Sequence, residues 1–474
     1  MNPRSIKIKE ALICICSIIF FTISQHVSAQ DSSSMPEKKS FTVSGKWLST
    51  FPNYLASPDG RHVMHVTYKS ASKQCVGVDG IDQMEFTFIY YMAFSPDSKH
   101  TAYLAGRGKD FFLVVDGKDK QINGIITQFS NFAMTTKMVG FTPDSKQVYY
   151  RDGASWHLGD KEYKYLMPPI FSPDGTRMAF CNSALEHNFV YIDGEEKPLN
   201  GVILGGQLFF SPDSKHFAFL IIKQDGLFLN QDGIETPVKG DLKADAYPHK
   251  EKKNVTLYDF SEIGIPVMQY SPDGKRFSYW GYLDRDMRLF ADRSHMAMVI
   301  DGKPDSSFIL RHPLVFSPDS KHYAYYAYDI ESNKKAWLIY DGIKTAAEYF
   351  VPASINMAFS PDGSKLVYTG QPSEWYSRIL INGVADPNHY DDLIIPVFSP
   401  TGKYLVFASK YKNRPALIVD GSPKFIDGEF VRTVENKQIF FDSDNKIHYI
   451  VRKKINNDNT EITIVEETLG NTVK

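Results

Sequence analysis

Apolar and polar residues fall in short strand-sized runs along most of this chain, and one phrase breaks them at intervals: an aromatic residue, Ser/Thr-Pro, usually Asp, a small or turn-forming residue, then a base. It reads Phe94-Ser95-Pro96-Asp97-Ser98-Lys99, Phe141-Thr142-Pro143-Asp144-Ser145-Lys146 and Phe171-Ser172-Pro173-Asp174-Gly175, and it returns at Phe210, Tyr270, Phe316 and Phe359. A weaker copy, Ser57-Pro58-Asp59-Gly60-Arg61, opens the series, and Phe398-Ser399-Pro400-Thr401-Gly402-Lys403 comes late. Phe441-Asp442-Ser443-Asp444-Asn445-Lys446 reads as a decayed tenth copy. The phrase predicts a turn: Pro presets φ, Asp and Ser side chains bond nearby N–H groups, and Gly or Ser tolerates the exit conformation. A strand should follow each one. Counted from the Pro, the seventh residue is aromatic at Tyr103, Tyr150, Phe180, Phe219, Tyr279, Tyr325, Tyr368 and Phe407, and the sixth is often small, as at Ala102, Ala179, Ala218, Ser278 and Ala324. Successive side chains on a strand point to opposite faces, so large and small residues are set to meet across stacked sheets.

A second motif recurs about 20 residues after most of the prolines: an apolar strand ending in Asp-Gly or Asn-Gly. It occurs at Val78-Asp79-Gly80, Val115-Asp116-Gly117, Ile192-Asp193-Gly194, Ile300-Asp301-Gly302, Tyr340-Asp341-Gly342, Ile381-Asn382-Gly383 and Val419-Asp420-Gly421, and it predicts tight hairpins. Each unit therefore reads strand, Ser-Pro-Asp turn, strand, loop, strand, Asp-Gly turn, strand. The repeated prolines lie 38, 47, 30, 39, 60, 46, 43 and 39 residues apart, the length of one four-stranded propeller blade. The expected fold is an all-β propeller of nine to ten such blades in residues 41–474, with no amphipathic helix after residue 30. Val43-Ser44-Gly45 aligns with the Asp-Gly turns, so the N-terminal segment is expected to add a strand to the final unit, Phe440 to Val465, and close one ring. Two smaller rings, divided at the insert 239–262, remain the alternative architecture.

Composition changes this picture little. The 474 residues are 43% hydrophobic, 23% charged and 14% aromatic, as in a soluble folded chain whose repeat is rich in Phe and Tyr. Residues 1–29 read as a signal peptide: basic Arg4, Lys7 and Lys9, an apolar run from Ala11 to Ile23, and Val27-Ser28-Ala29 as a cleavage site before Gln30. The run is too short to span a membrane comfortably. Its removal takes three bases and one acid, shifting the formal charge from −2 to about −4. No basic stripe stands out, so nucleic acid is not an expected partner. Residues 30–40 are expected to be a flexible N-terminal segment. Of the four cysteines, Cys75 and Cys181 remain after cleavage, in different units, and a disulfide between them is not favoured.

The Ser-Pro-Asp-Gly-Lys phrase followed by a short aromatic strand resembles the repeat of TolB-like, WD40-like propellers, over roughly residues 47–465. The resemblance implies the fold and no particular activity. TolB-like proteins carry six repeats after a separate small domain, whereas this chain carries nine clear copies and a tenth candidate and has no room for that domain.

Candidate chemistry is sparse. Related propellers precede serine peptidase domains, but no Gly-x-Ser-x-Gly elbow is present; Gly153-Ala154-Ser155-Trp156-His157 comes nearest. No His-Glu-x-x-His occurs, nor any Cys-x-x-Cys in the mature chain. His62 and His65 stand at an odd spacing, on opposite faces of a strand. His100, His216 and His322 share one slot after the turn and read as an exposed repeat position. Asp442-x-Asp444 lacks the Gly and Glu of a calcium loop. No catalytic, cofactor-binding or metal residue is assigned, and no cofactor is expected. The insert 239–262, with Tyr247, Tyr258, Lys250, Lys252 and Lys253, and the smaller insert Asp284-Arg285-Asp286-Met287-Arg288 depart most from the repeat. The sequence thus points to a periplasmic or secreted, non-enzymatic binding or scaffold protein, whose propeller loops meet a protein or glycan partner in the cell envelope. The alternative is a lyase- or lactonase-type enzyme acting on a polysaccharide or small molecule at the channel. The sequence leaves the ligand and the oligomeric state open.

Overall fold

The computed structural model describes residues 36–470, except 45–53, 71, 125–137, 166, 184–187, 204–207, 224–225, 238–267, 283–295, 306–307, 311–313, 330–335, 348–356, 374–375, 392–395, 434–436 and 457–458. The two inserts singled out above therefore lie outside the described residues, as does the segment 1–29. Among the described residues there is no helix, and the strands form ten antiparallel sheets. These are the ten blades of one propeller ring, spanning 54–86, 88–122, 139–163, 170–198, 202–237, 268–305, 308–346, 357–385, 397–425 and 429–468. The second blade shows the plan: Phe88–Phe94 innermost, then Thr101–Arg107, Asp110–Val115 and the outer Lys118–Ile122, each hydrogen-bonded to the next. In the fifth, seventh and tenth blades the innermost position is shared by two short segments that pair with the same second strand.

The repeat phrase makes the first turn of each blade, and the seventh blade shows why its residue types are needed. Ser317 Oγ donates to Asp319 Oδ1 (2.6 Å) and accepts the His322 N–H (2.9 Å). Asp319 Oδ1 also accepts the Lys321 N–H (3.2 Å), and the Ser317 carbonyl accepts the Ser320 N–H (2.9 Å). The turn serine is fully buried in eight of the ten blades, so its hydroxyl supplies partners to backbone groups that water cannot reach. Ser320 lies at φ 62°, and its counterparts from Gly60 to Gly402 lie between 62° and 74°, which is why the position alternates between Ser and Gly. Where it is Ser, the hydroxyl reaches the preceding blade: Ser98 accepts the Asp59 N–H (3.0 Å) and Ser320 the Asp273 N–H (2.9 Å). The same side chain thus closes one turn and joins two blades.

Packing between blades follows the expected alternation. Ala102 of the second blade lies in one core with Tyr150 of the third, Ala179 with Phe219, Ala218 with Tyr279, and Ala324 with Tyr368. Every one of these side chains is buried. Small residues on one sheet make room for rings on the next, and close packing of this kind supplies most of the favourable energy of folding.

The ring closes as the N-terminal residues predict. Strand Glu37–Ser44 pairs antiparallel with Asn459–Thr468 through eight consecutive residues, from Glu37↔Glu466 to Ser44↔Asn459, and forms the outer strand of the tenth blade. It begins within the stretch 30–40. A mixed core of Val43, Ala56, Val63, Val431, Ile450, Ile462 and Ile464 then joins the tenth blade to the first, so a single ring is formed and the two-ring alternative falls. The decayed copy at 441–446 makes the first turn of this blade.

Candidate functional site

The polar residues that recur along the chain are engaged in holding the propeller. Each Asp-Gly aspartate sits at φ 46–53° in a tight hairpin, and one carboxylate oxygen accepts an N–H from the second strand of its blade, as Asp341 does from Tyr323 (2.9 Å). At Asp79, Asp116, Asp193, Asp232, Asp301 and Asp341 the other oxygen takes the residue one place earlier. His100 Nδ1 lies 2.8 Å from Asp116, His216 2.6 Å from Asp232 and His322 2.6 Å from Asp341, while Arg177 and Arg276 donate through Nε to Asp193 (2.8 Å) and Asp301 (3.0 Å). The shared histidine slot is therefore a clamp between the two turns of one blade, and arginine does the same work. Asp232-Gly233 belongs to this series, although Asn230-Gln231 stands where the other copies carry apolar residues. Serine and backbone hydrogen bonds hold the carboxylates of Asp97, Asp213, Asp273 and Asp319 below their ordinary range, and Asp174 and Asp362 at about 2.

The other residues noted in the sequence have equally structural roles. Ser155, within the nearest approach to a hydrolase elbow, lies on a strand paired on both sides and donates to Glu162 (2.6 Å). His62 pairs with Asp79 (2.9 Å), while His65 is buried over Gly77, where an added Cβ would stand 2.2 Å from the imidazole. Burial pushes the His65 ring down to about 4, against the opposing pull of Asp82 and Asp79. Asp442 takes Arg61 (2.7 Å) and His448 (3.0 Å), and Asp444 accepts the Thr401 N–H (3.0 Å) of the ninth blade. Cys75 and Cys181 are free and buried, and desolvation pushes their thiols up to about 11 and 12. Such thiols are poor nucleophiles. Among the described residues, no group of three His, Cys, Asp or Glu is arranged to hold a metal ion.

One polar constellation falls outside the repeat. After strand Val384–Ala385 the chain runs across from the eighth blade to the ninth. Asp386 Oδ1 accepts the Asn388 N–H (2.7 Å), which turns the chain. Tyr390 then exchanges backbone hydrogen bonds with Ser377 (2.8 and 2.9 Å), and Asp391 exchanges them with Lys410 (3.0 and 2.8 Å). Tyr390 is buried, its ring edge-on to Phe407 at 5.1 Å. The hairpin Leu405–Tyr411 to Arg414–Val419 faces this segment, with Lys412 (φ 51°) and Asn413 (φ 61°) at its tip. Between them lies a cavity of about 460 Å³ lined by Pro387, Asn388, His389, Asp391, Tyr411, Lys412 and Asn413. Arg378 Nη2 lies 2.7 Å from His389 Nε2 and Tyr411 Oη 3.4 Å from Asn388 Oδ1; the Lys412 ammonium stands 5.3 Å from the centre of the Tyr411 ring. Sequence reasoning missed this groove because residues 386–391 match neither repeated motif. The only signal was the polar run Lys410-Tyr411-Lys412-Asn413-Arg414 at the tip of a predicted hairpin.

No family model matches the chain, and no curated protein matches it. Solved structures do. A eukaryotic initiation factor shares 14% identity at a TM-score of 0.39, covering 82% of this chain and 95% of its own. TolB from Acinetobacter baumannii shares 15% at 0.22, covering 81% and 70%. An oligogalacturonate lyase in complex with manganese shares 14% at 0.28, covering 79% and 99%. At these TM-scores the likenesses carry no argument about role, and the ten-bladed ring stands on the strand pairing itself.

Proposed function

We propose that this protein is an exported, non-enzymatic binding or scaffold protein of the cell envelope, TolB-like in its repeat, that meets its partner through loops of the propeller. One observation carries the reading. The recurring polar groups of the repeat are tied into the turns and clamps of the ring, whereas Asn388, His389 and Asp391 of the groove stand on a connection outside both repeated motifs and face the tip of the ninth-blade hairpin at Lys412 and Asn413. Variable loops on a rigid scaffold are where binding concentrates. The N-terminal segment 1–29, with its basic, apolar and small-residue regions in order, supports export. The enzymatic alternative requires several His and acidic groups from different blades to meet at one axial end, and no observation among the described residues favours it.

The test is twofold. N-terminal sequencing of the exported protein should read from Gln30, and a retained 1–29 segment in membranes would contradict export. Immobilised mature protein should then capture a saturable partner from envelope extracts. Turnover of a polysaccharide by the purified protein would overturn the non-enzymatic reading.

A further inference from the structure

We propose that the groove between the eighth and ninth blades is a glycan-binding subsite that holds one or two neutral sugar units. The assignment rests on the binding-scaffold reading above and names the class of ligand for it.

Three features lead there. The first is rigidity. The floor segment is pinned on both sides by paired backbone hydrogen bonds, Tyr390 with Ser377 and Asp391 with Lys410, and Ser409 Oγ donates to the Asp391 carbonyl (2.6 Å). Asn388 Nδ2 reaches the Gly421 carbonyl (3.3 Å). A ligand meeting such a shelf does not have to order it, which lowers the cost of binding. The second is chemistry. The amide of Asn413 and the carboxylate of Asp391 place donors and acceptors around one cavity, beside Asn388 and His389, whose polar ends also meet Gly421, Tyr411 and Arg378. Tyr411 and Pro387 add an aromatic and a ring-carbon surface to the lining. A sugar needs this combination, because it carries hydroxyl pairs on its edge and C–H groups on its face. The third is charge. The lining holds one lysine and one aspartate, so neither a multiply charged phosphate nor a cation is matched by it.

The same geometry disfavours an extended peptide. Strand addition needs an open edge of N–H and C=O groups, and here both backbone edges of the floor segment are already paired to Ser377 and Lys410. The volume of about 460 Å³ lies at the small-ligand end of the range for pockets.

The experiment is titration calorimetry of the mature full chain with chitohexaose, cellohexaose and maltohexaose. At least one should bind in the millimolar range or tighter. Asn413→Gly, which keeps a turn position of φ 61°, and Asp391→Asn, which keeps the backbone pairing, should each weaken that binding about tenfold while thermal melting stays unchanged. Should Asp391→Asn prove unstable, Asn413→Gly decides. Failure of all three sugars to bind, or equal binding by wild type and Asn413→Gly, overturns the groove assignment. Capture of the envelope partner by Asn413→Gly separates the two readings: if capture persists and no sugar binds, the scaffold reading stands and the glycan groove falls; if wild type captures nothing either, both fall.

Discussion

The smallest unit of this fold is a hydroxyl. Ser317 is fully buried, and its Oγ serves both the Asp319 carboxylate and the His322 N–H. Ser317→Ala removes both bonds and leaves the His322 N–H short of a partner. The expected loss is about 1–3 kcal/mol, the usual cost of an unsatisfied buried polar group, measured by urea unfolding. Lys321→Ala, on the same turn but with a side chain 76% exposed, should change stability little. Equal effects of the two would contradict the role given to the serine.

Protonation acts at the same scale. The His65 ring titrates near 4 in the folded protein because burial disfavours its charged form, against an ordinary value near 6.5. The unfolded chain therefore binds more protons between these values, and stability falls as pH drops from about 6.5 to 4. The turn aspartates act lower. Hydrogen bonds from Ser172 and Ser360 hold Asp174 and Asp362 at about 2, so their contribution is present above about 4 and is lost as pH falls toward 2. Unfolding free energy measured against pH should show both windows, and His65→Gln should flatten only the upper one. An unchanged upper window in His65→Gln would contradict the assignment.

At the scale of the element, the blade was legible in the sequence and its clamps were not. The turn residues, the hairpins and the alternation of Ala with Tyr or Phe are local or periodic, so spacing reveals them. The partners of His100, His216 and His322 lie 16 to 19 residues away, and only the folded hairpin brings them together. For the same reason the slot read as an exposed repeat position is one half of a hydrogen-bonded pair. The groove at 386–391 was invisible because its shape depends on contacts with two neighbouring blades. Closure was visible only as a one-turn alignment of Val43-Ser44-Gly45, yet it supplies a whole strand. Removing residues 1–44 should leave the edge of Asn459–Thr468 unpaired and open the core that Val43 shares with Ile462 and Ile464. Such edges invite association. The truncated chain should melt at a lower temperature and aggregate, as read by scanning calorimetry and light scattering. Unchanged melting would show that the strand is dispensable.

At the scale of the whole molecule, everything depends on one seam. The junction of the tenth and first blades joins residues 377 to 405 positions apart, and pairings of such long range are costly to close. Polar contacts reinforce it. Arg61 bridges Asp442 (2.7 Å) and Glu466, His448 Nε2 meets the Asp59 carbonyl, and Ala56 forms a parallel bridge with Thr433. If this seam holds, the ring is a rigid frame and the groove at the eighth and ninth blades is a preformed site. Ser40 Oγ and Thr463 Oγ1 stand 2.8 Å apart on paired strands across the closure. A Ser40→Cys/Thr463→Cys protein, mildly oxidised, therefore tests the account most directly, since the native Cys75 and Cys181 are buried and do not compete. The prediction is an intramolecular disulfide within monomers, with a melting temperature that rises on oxidation and returns on reduction. Absence of the disulfide, or its formation only between molecules, would contradict a ring closed by its own N-terminal strand.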